Sequence, residues 1–317
     1  MSQATAVTPR LGRKGGRRLA IMVSFAAMGF FAWSVRSHIA DMPEVHWTEQ
    51  GAIAWLVSVL LGAAGVGLNG FVWHRLIADQ GCRLSVRKAL ALCAVAQFGK
   101  YIPGNIGQHI GRVWLAQREG ISVALTLATM LIEILWVTGV AVGLSVVALA
   151  LYVDTHAAGL SIRFSTAQLS VIVALLMSTP WVGIWVIKRF LPHLAARLVG
   201  GGTIALPRIS TALVVSVAYL LCFVLLGGMV KLQAVSLFGV HTGSFIQLTC
   251  LFAAAWLAGY VVPGAPAGLG IRESMMLVLM GPILGAGTVV GLAVTMRVTT
   301  SLADLLAYVV GVWLRRS

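Results

Sequence analysis

Seven ionisable side chains stand within or beside apolar stretches where charge is expensive: Lys100, Arg112, Glu133, Arg272, Glu273, Arg297 and Asp304. At the centre of a spanning helix such a group costs about 2.5–3.5 kcal/mol on insertion scales, so it is read first as part of a site. The cations suit an oxyanion. Arginine grips a phosphate or carboxylate through two donors at once, and lysine supplies a compact charge. Four of the seven belong to a pattern that occurs twice. Lys100-Tyr-Ile-Pro103-Gly104-Asn-Ile-Gly107 leads to Arg112, and Tyr260-Val-Val-Pro263-Gly264-Ala-Pro-Ala-Gly268-Leu-Gly270-Ile leads to Arg272 and Glu273. In each copy a Pro-Gly breaks an apolar segment, and an arginine follows nine residues after the proline.

The breaks have a physical meaning. Proline removes a backbone donor and disfavours helix in the residue before it. Glycine then permits a turn. Irregular backbone at membrane depth is tolerated only where it is buried in protein or lines a watery cavity, so both breaks are expected to face inward. A new helix is expected to start near Asn105 and near Ala267. Helix N-termini present unpaired N–H groups and a partial positive charge, and two of them meeting would make an anion site. Arg112 and Arg272 would lie about two turns on, roughly 10 Å away by helical rise. Plainer readings stand beside this one. Lys100 is favourable at a helix C-terminus whatever it binds, and both arginines have side chains long enough to snorkel to an interface.

Glu133 lies about a third of the way along the apolar run from Ile121 to Val153. It reads as a structural ion-pair partner, as a substrate or proton-coupling carboxylate, or as a shallow group near an interface. Near the C-terminus, Arg297, Ser301, Asp304, Tyr308 and Gly311 follow one another at steps of four, three, four and three, which places all five on one helical face. That face is expected to turn away from lipid, as a packing seam or as part of a substrate path. Ser58, Gly62, Gly65 and Asn69 also share a face, and are read as close helix packing.

Composition says which elements must carry these residues. The chain is 59% hydrophobic and 10% charged, against about 25% charged in soluble domains. Several runs reach the roughly 20 apolar residues that a bilayer requires. The expectation is an all-α, polytopic integral membrane protein. Six full spans are expected, near 19–36, 52–73, 122–153, 167–188, 211–232 and 288–313. The stretches 88–118 and 244–282, broken at Pro103-Gly104 and Pro263-Gly264, are expected to be re-entrant hairpins. Residues 1–18 read as a basic cytoplasmic tail. Residues 19–314 read as one membrane domain with two pseudo-repeats, about 88–153 and 244–313. The run from Leu19 to Val35 is read as a first anchor, not as a cleavable signal.

The net charge of +14 is read through topology and not as a nucleic-acid surface. Fifteen cations fall on one side of this layout, in the N-terminal tail, in the loops after the second and fourth spans, and at Arg315 and Arg316. The positive-inside rule then puts both termini in the cytoplasm. The first hairpin enters from the cytoplasm and the second from outside, which makes the repeats inverted, as in several transporter folds. The four cysteines have no CxxC spacing, and the seven histidines form no HxxxH pair, so neither a metal nor another cofactor is expected.

On these residues the chain resembles the lysylphosphatidylglycerol synthase transmembrane-region family. The resemblance runs from about residue 20 to 313. It rests on Lys100-x-x-Pro-Gly-x-x-Gly107 through Arg112, on Gly120-Ile-Ser122 followed by Glu133, and on Pro263-Gly264 through Gly268-Leu-Gly270-Ile-Arg272-Glu273, then Arg297. Ala265-Pro266-Ala267 departs from the pattern by an extra proline. The resemblance implies a flippase-like domain in the bacterial cytoplasmic membrane. The family's two-function members attach an amino acid to phosphatidylglycerol with a separate soluble domain and then move the product. No such domain is read here, so the chain is expected not to be an enzyme. The expected substrate is an anionic or phosphate-bearing lipid held between the hairpins by Lys100, Pro103, Gly104, Gly107, Arg112, Glu133, Pro263, Gly264, Arg272, Glu273, Arg297 and Asp304. Two other readings stay open: a non-transporting partner of a glycosyltransferase or envelope-lipid assembly complex, and an enzyme whose scattered acids converge in space.

Overall fold

A computed structural model describes residues 22, 26, 28–33, 35–38, 40–101, 107–152, 165, 167–168, 171, 181–187, 189–190, 193, 206–262 and 266–316. Regular structure among them is helical throughout. Four helices are long and apolar enough to cross a membrane: α1 (Glu49–Asp79), α4 (Val123–Leu151), α5 (Ile209–Phe238) and α8 (Ala286–Arg316). The chain is a multi-pass membrane protein. These helices answer to the expected spans 52–73, 122–153, 211–232 and 288–313. α1 starts at 49 instead of 52 and ends at 79 instead of 73. Hydropathy falls where polar side chains begin, whereas backbone hydrogen bonding continues to the cap. Thr48 caps α1 by accepting from the Gly51 N–H, and Ser122 caps α4 by accepting from the Leu125 N–H. The expected spans 19–36 and 167–188 are described only in part, helical at 28–33 and 35–38 and at 181–187, and the first 21 residues lie outside the described residues.

Between the long helices lie two broken segments. The first is α2 (Val86–Gln97), a 3-10 turn over Phe98–Tyr101, and α3 (Gly107–Arg118). The second is α6 (Phe245–Val261), a 3-10 turn over Pro266–Gly268, and α7 (Ile271–Leu284). Both fold back on themselves. In the first, a methyl added at Gly99 would lie 2.5 Å from the Gly107 carbonyl carbon, Ala96 lies against Gly111, and Lys88 Nζ reaches Glu119 Oε2 at 2.7 Å. In the second, Gly259 lies against Gly268 and Arg272, and Gly243 against Ile283. Pairing that closes outward from the turn is that of an antiparallel hairpin. At 12 residues, α2 and α3 are about 18 Å long, short of a hydrocarbon core of about 30 Å. Pro103, Gly104, Pro263 and Gly264 fall outside the described residues, but the chain on either side of each break doubles back.

α8 serves as a ruler for where the hairpins sit. At its start, Gly287 packs on the Asp41 carbonyl and Gly291 under the Phe238 ring. Arg297 reaches Ala267 in the second hairpin's turn. Asp304 meets Lys100 and Tyr101 in the first hairpin's turn. Further along, the Tyr308 ring lies tilted against Phe98, Gly311 lies on Ala94, and the Leu314 carbonyl accepts from Arg87. The first hairpin therefore has its base at the C-terminal end of α8. The second runs from the opposite end. Their turns meet on the middle of α8, between residues 297 and 304, about 10 Å apart along its axis. Trp73, Trp136, Phe223 and Phe252 anchor the apolar packing around them.

Candidate functional site

The first turn is held by a buried carboxylate. Asp304 lies 2.6 Å from Lys100 Nζ and accepts the Tyr101 hydroxyl at 2.5 Å. Tyr101 also contacts Ser301 Oγ at 3.3 Å. The stripe read on the last helix does face the protein, and four of its members, Ser301, Asp304, Tyr308 and Gly311, touch the first hairpin. Arg297 and Asp304 do not pair with each other. Each holds a different turn.

Two turns of chain beyond the break, Arg112 donates through Nη1 to Glu133 on α4. Both residues are buried, at 7% and 6% exposed. The Trp73 ring lies 5.5 Å from the Arg112 guanidinium, a cation–π distance. Of the three readings of Glu133, the ion pair is the one the geometry displays. Snorkelling falls for Arg112 and also for Arg272, which is 8% exposed.

The second turn is organised by Glu273. Its Oε2 accepts the Gly270 N–H at 2.8 Å, closing the start of α7. Its Oε1 lies 3.2 Å from Arg272 Nη2 and 3.0 Å from Arg297 Nη2. Arg297 Nη1 donates to the Ala267 carbonyl at 3.1 Å. Ala267 has φ 49°, the left-handed region that an L-residue rarely adopts, next to Gly268 at φ 69°. The helix start expected near Ala267 falls at Ile271, where the chain's own Glu273 carboxylate accepts the Gly270 N–H; Asn105, near which the other start was expected, lies outside the described residues. Buried side chains here keep unpartnered donors. Arg112 Nε, Arg272 Nε and Arg297 Nη2 are buried without a hydrogen-bond partner; the Arg297 contact with Glu273 has ion-pair distance but not hydrogen-bond alignment.

These groups line one cavity of about 260 Å³. Lys100, Arg112, Glu133, Arg272, Arg297 and Asp304 reach it, with Glu273 behind the two arginines. Leu61, Val66, Val137, Leu225 and Leu226 give it an apolar wall.

The family model for the lysylphosphatidylglycerol synthase TM region matches residues 18–307. The chain belongs to this family. Among curated proteins no match was found.

Within this family member, the residues predicted from the sequence separate into three groups. Lys100, Arg112, Glu133, Arg272, Glu273, Arg297 and Asp304 converge. The Gly107 main chain packs on Gly99, at which a side chain would not fit. Pro103, Gly104, Pro263 and Gly264 lie outside the described residues. Sequence reasoning missed Tyr101, although it adjoins Lys100. It also assigned Asn69 and Gly65 to packing. Gly62 does pack, 2.7 Å from Ala303 for an added methyl, but Gly65 has nothing within 4 Å and borders the cavity with Asn69. Tyr219, Trp256 and Tyr260 also line it. Tyr260 opens the second copy of the repeated motif, whereas nothing in the local sequence marks Tyr219 or Trp256.

Proposed function

We propose that this protein is a flippase-like transporter that moves an anionic or phosphate-bearing lipid across the bacterial cytoplasmic membrane, with no covalent step. One observation carries the reading: four cations and three carboxylates gather at one cavity between two hairpin turns that approach from opposite ends. The count leaves one uncompensated positive charge, and two nine-tenths-buried arginines keep an Nε donor unpartnered. A buried donor without a partner costs about 1–3 kcal/mol, which an entering oxyanion would recover. The cavity lies just under the roughly 300–1,000 Å³ usual for a whole drug-sized ligand, so it suits a headgroup. Its apolar wall offers the acyl chains a way out to the bilayer.

In this reading the hairpins are re-entrant, both termini are cytoplasmic, and the repeats containing the hairpins are inverted. A headgroup entering from one side draws Arg272 and Arg297 from Glu273. The freed carboxylate weakens the hold of α8 on the second turn. Rocking of the repeats about the site then exposes it to the other side. The family's name joins it to lipid modification, which agrees with a lipid substrate.

The test is translocation of a fluorescent phosphatidylglycerol by the purified protein in liposomes. The wild-type chain moves the lipid without a partner, and Arg272→Ala slows it by about tenfold or more at equal folded protein, the loss of a charged hydrogen bond. Wild-type rates in the variant remove the arginine from the mechanism. An inert wild-type chain would instead favour a membrane partner of a glycosyltransferase or envelope-lipid assembly complex.

A further inference from the structure

Summed over the ion pairs of the cavity, the chain's own charges do not cancel. Asp304 takes Lys100, and Glu133 takes Arg112, one for one. Glu273 faces both Arg272 and Arg297, and does so through a single oxygen, Oε1, at 3.2 and 3.0 Å. Its other oxygen accepts the Gly270 N–H. The positive charge left over therefore lies on the two guanidiniums that flank Oε1. Each keeps a donor without a hydrogen-bond partner, Arg272 Nε and Arg297 Nη2. Arg272 is 8% exposed, so bulk water does little to screen it. Asn69, Gln97 and Gln108 line the same cavity and carry amide N–H groups, neutral donors that suit an anion.

A transporter must return as well as advance. A bound lipid phosphate balances the surplus charge on one leg only. On the other leg the site would change sides carrying a net positive charge, at the depth where charge is most costly. A small anion drawn from water removes that cost and satisfies the same donors. We infer that the Arg272–Arg297 pair is also a site for a small monovalent inorganic anion of the chloride class, and that the protein works as an exchanger, a lipid headgroup one way and the inorganic anion back. Each leg then carries a neutral site, and one monoanion crossing each way moves no net charge. The anion site stands on the ion-pair geometry. The exchange rests, in addition, on the reading of this protein as a lipid transporter.

The experiment has a binding arm and a movement arm, both on the purified full-length chain. In detergent, radiolabelled chloride is titrated onto the protein with lactobionate, a bulky disaccharide carboxylate, as the background anion. About one chloride per chain is expected, the number of charges left over. Arg272→Gln and Arg297→Gln each weaken binding by about tenfold or more. Arg83→Gln, exposed in the connection between α1 and α2 and outside the cavity lining, leaves it unchanged. Short-chain phosphatidylglycerol displaces the chloride, a result read on the wild-type chain that stands even if a variant fails to fold. No bound chloride, binding that survives both arginine changes, or chloride that the lipid does not displace overturns the inference. In liposomes, replacing chloride by lactobionate on both sides should slow phosphatidylglycerol movement at least about fivefold. Equal rates in the two anions overturn the exchange. The two readings fail separately: displaceable chloride without any lipid movement retires transport and keeps the anion site, whereas lipid movement without bound chloride retires this inference and keeps transport.

Discussion

The two hairpins share a break but send their charges in opposite directions. The first exports cations to carboxylates on long helices, Lys100 to Asp304 on α8 and Arg112 to Glu133 on α4. The second keeps an acid and a base adjacent, Glu273 and Arg272, and draws a further cation, Arg297, from α8. Its acid also caps its own helix. A repeated backbone pattern can thus hold two electrostatic roles. One turn is neutralised by its neighbours and fixed in place by them. The other keeps much of its support within one helical turn and retains spare positive charge.

If that contrast is right, the heaviest loss follows from stripping the first hairpin of an external partner. Glu133→Ala leaves Arg112 buried and alone, and should lower stability by about 3–5 kcal/mol. Glu133→Leu combined with Arg112→Met should regain much of it, because no charge is left stranded. Thermal unfolding in detergent reads both, and an additive double variant would mean the pair is not coupled. Arg297→Ala should cost less, about 1.5–3 kcal/mol, since Arg272 still faces Glu273. A loss as large as that of Glu133→Ala would erase the difference between the hairpins.

The backbones offer a second comparison. Gly99→Ala forces a methyl to within 2.5 Å of the Gly107 main chain, while at Gly259 the nearest atom, Arg272 Cβ, is 3.1 Å away. The first change should cost about 1–3 kcal/mol and the second visibly less, by the same melting measurement. The smallest effect is expected for Tyr101→Phe. It removes one of two contacts to Asp304 and should cost about 0.5–1.5 kcal/mol. A larger drop would make the hydroxyl, and not Lys100, the principal hold on the first turn.

Much of this was legible in the sequence, for reasons that differ by residue. The long helices announce themselves because burial in lipid demands apolar length. The stripe Arg297, Ser301, Asp304, Tyr308, Gly311 is legible because a helix repeats every 3.6 residues. The hairpins follow from what Pro-Gly does to an apolar segment. Pairing was not legible. Nothing local tells Lys100 to choose Asp304, 204 positions away, or Arg112 to choose Glu133 over solvent. Periodicity fixes a face, not what the face will meet. The same limit explains Gly65 and Asn69, whose small-residue spacing reads as packing wherever the neighbouring helix stands.

α8 touches both turns, yet the ribosome makes it after both. Until residues 297–304 emerge, Lys100 lacks its carboxylate, and the Ala267 carbonyl lacks the donor that steadies its left-handed turn. Insertion of that helix then completes the support of both turns. A nascent chain stopped short of it would carry two turns without their partners and expose buried charge, which makes it a ready target for membrane quality control.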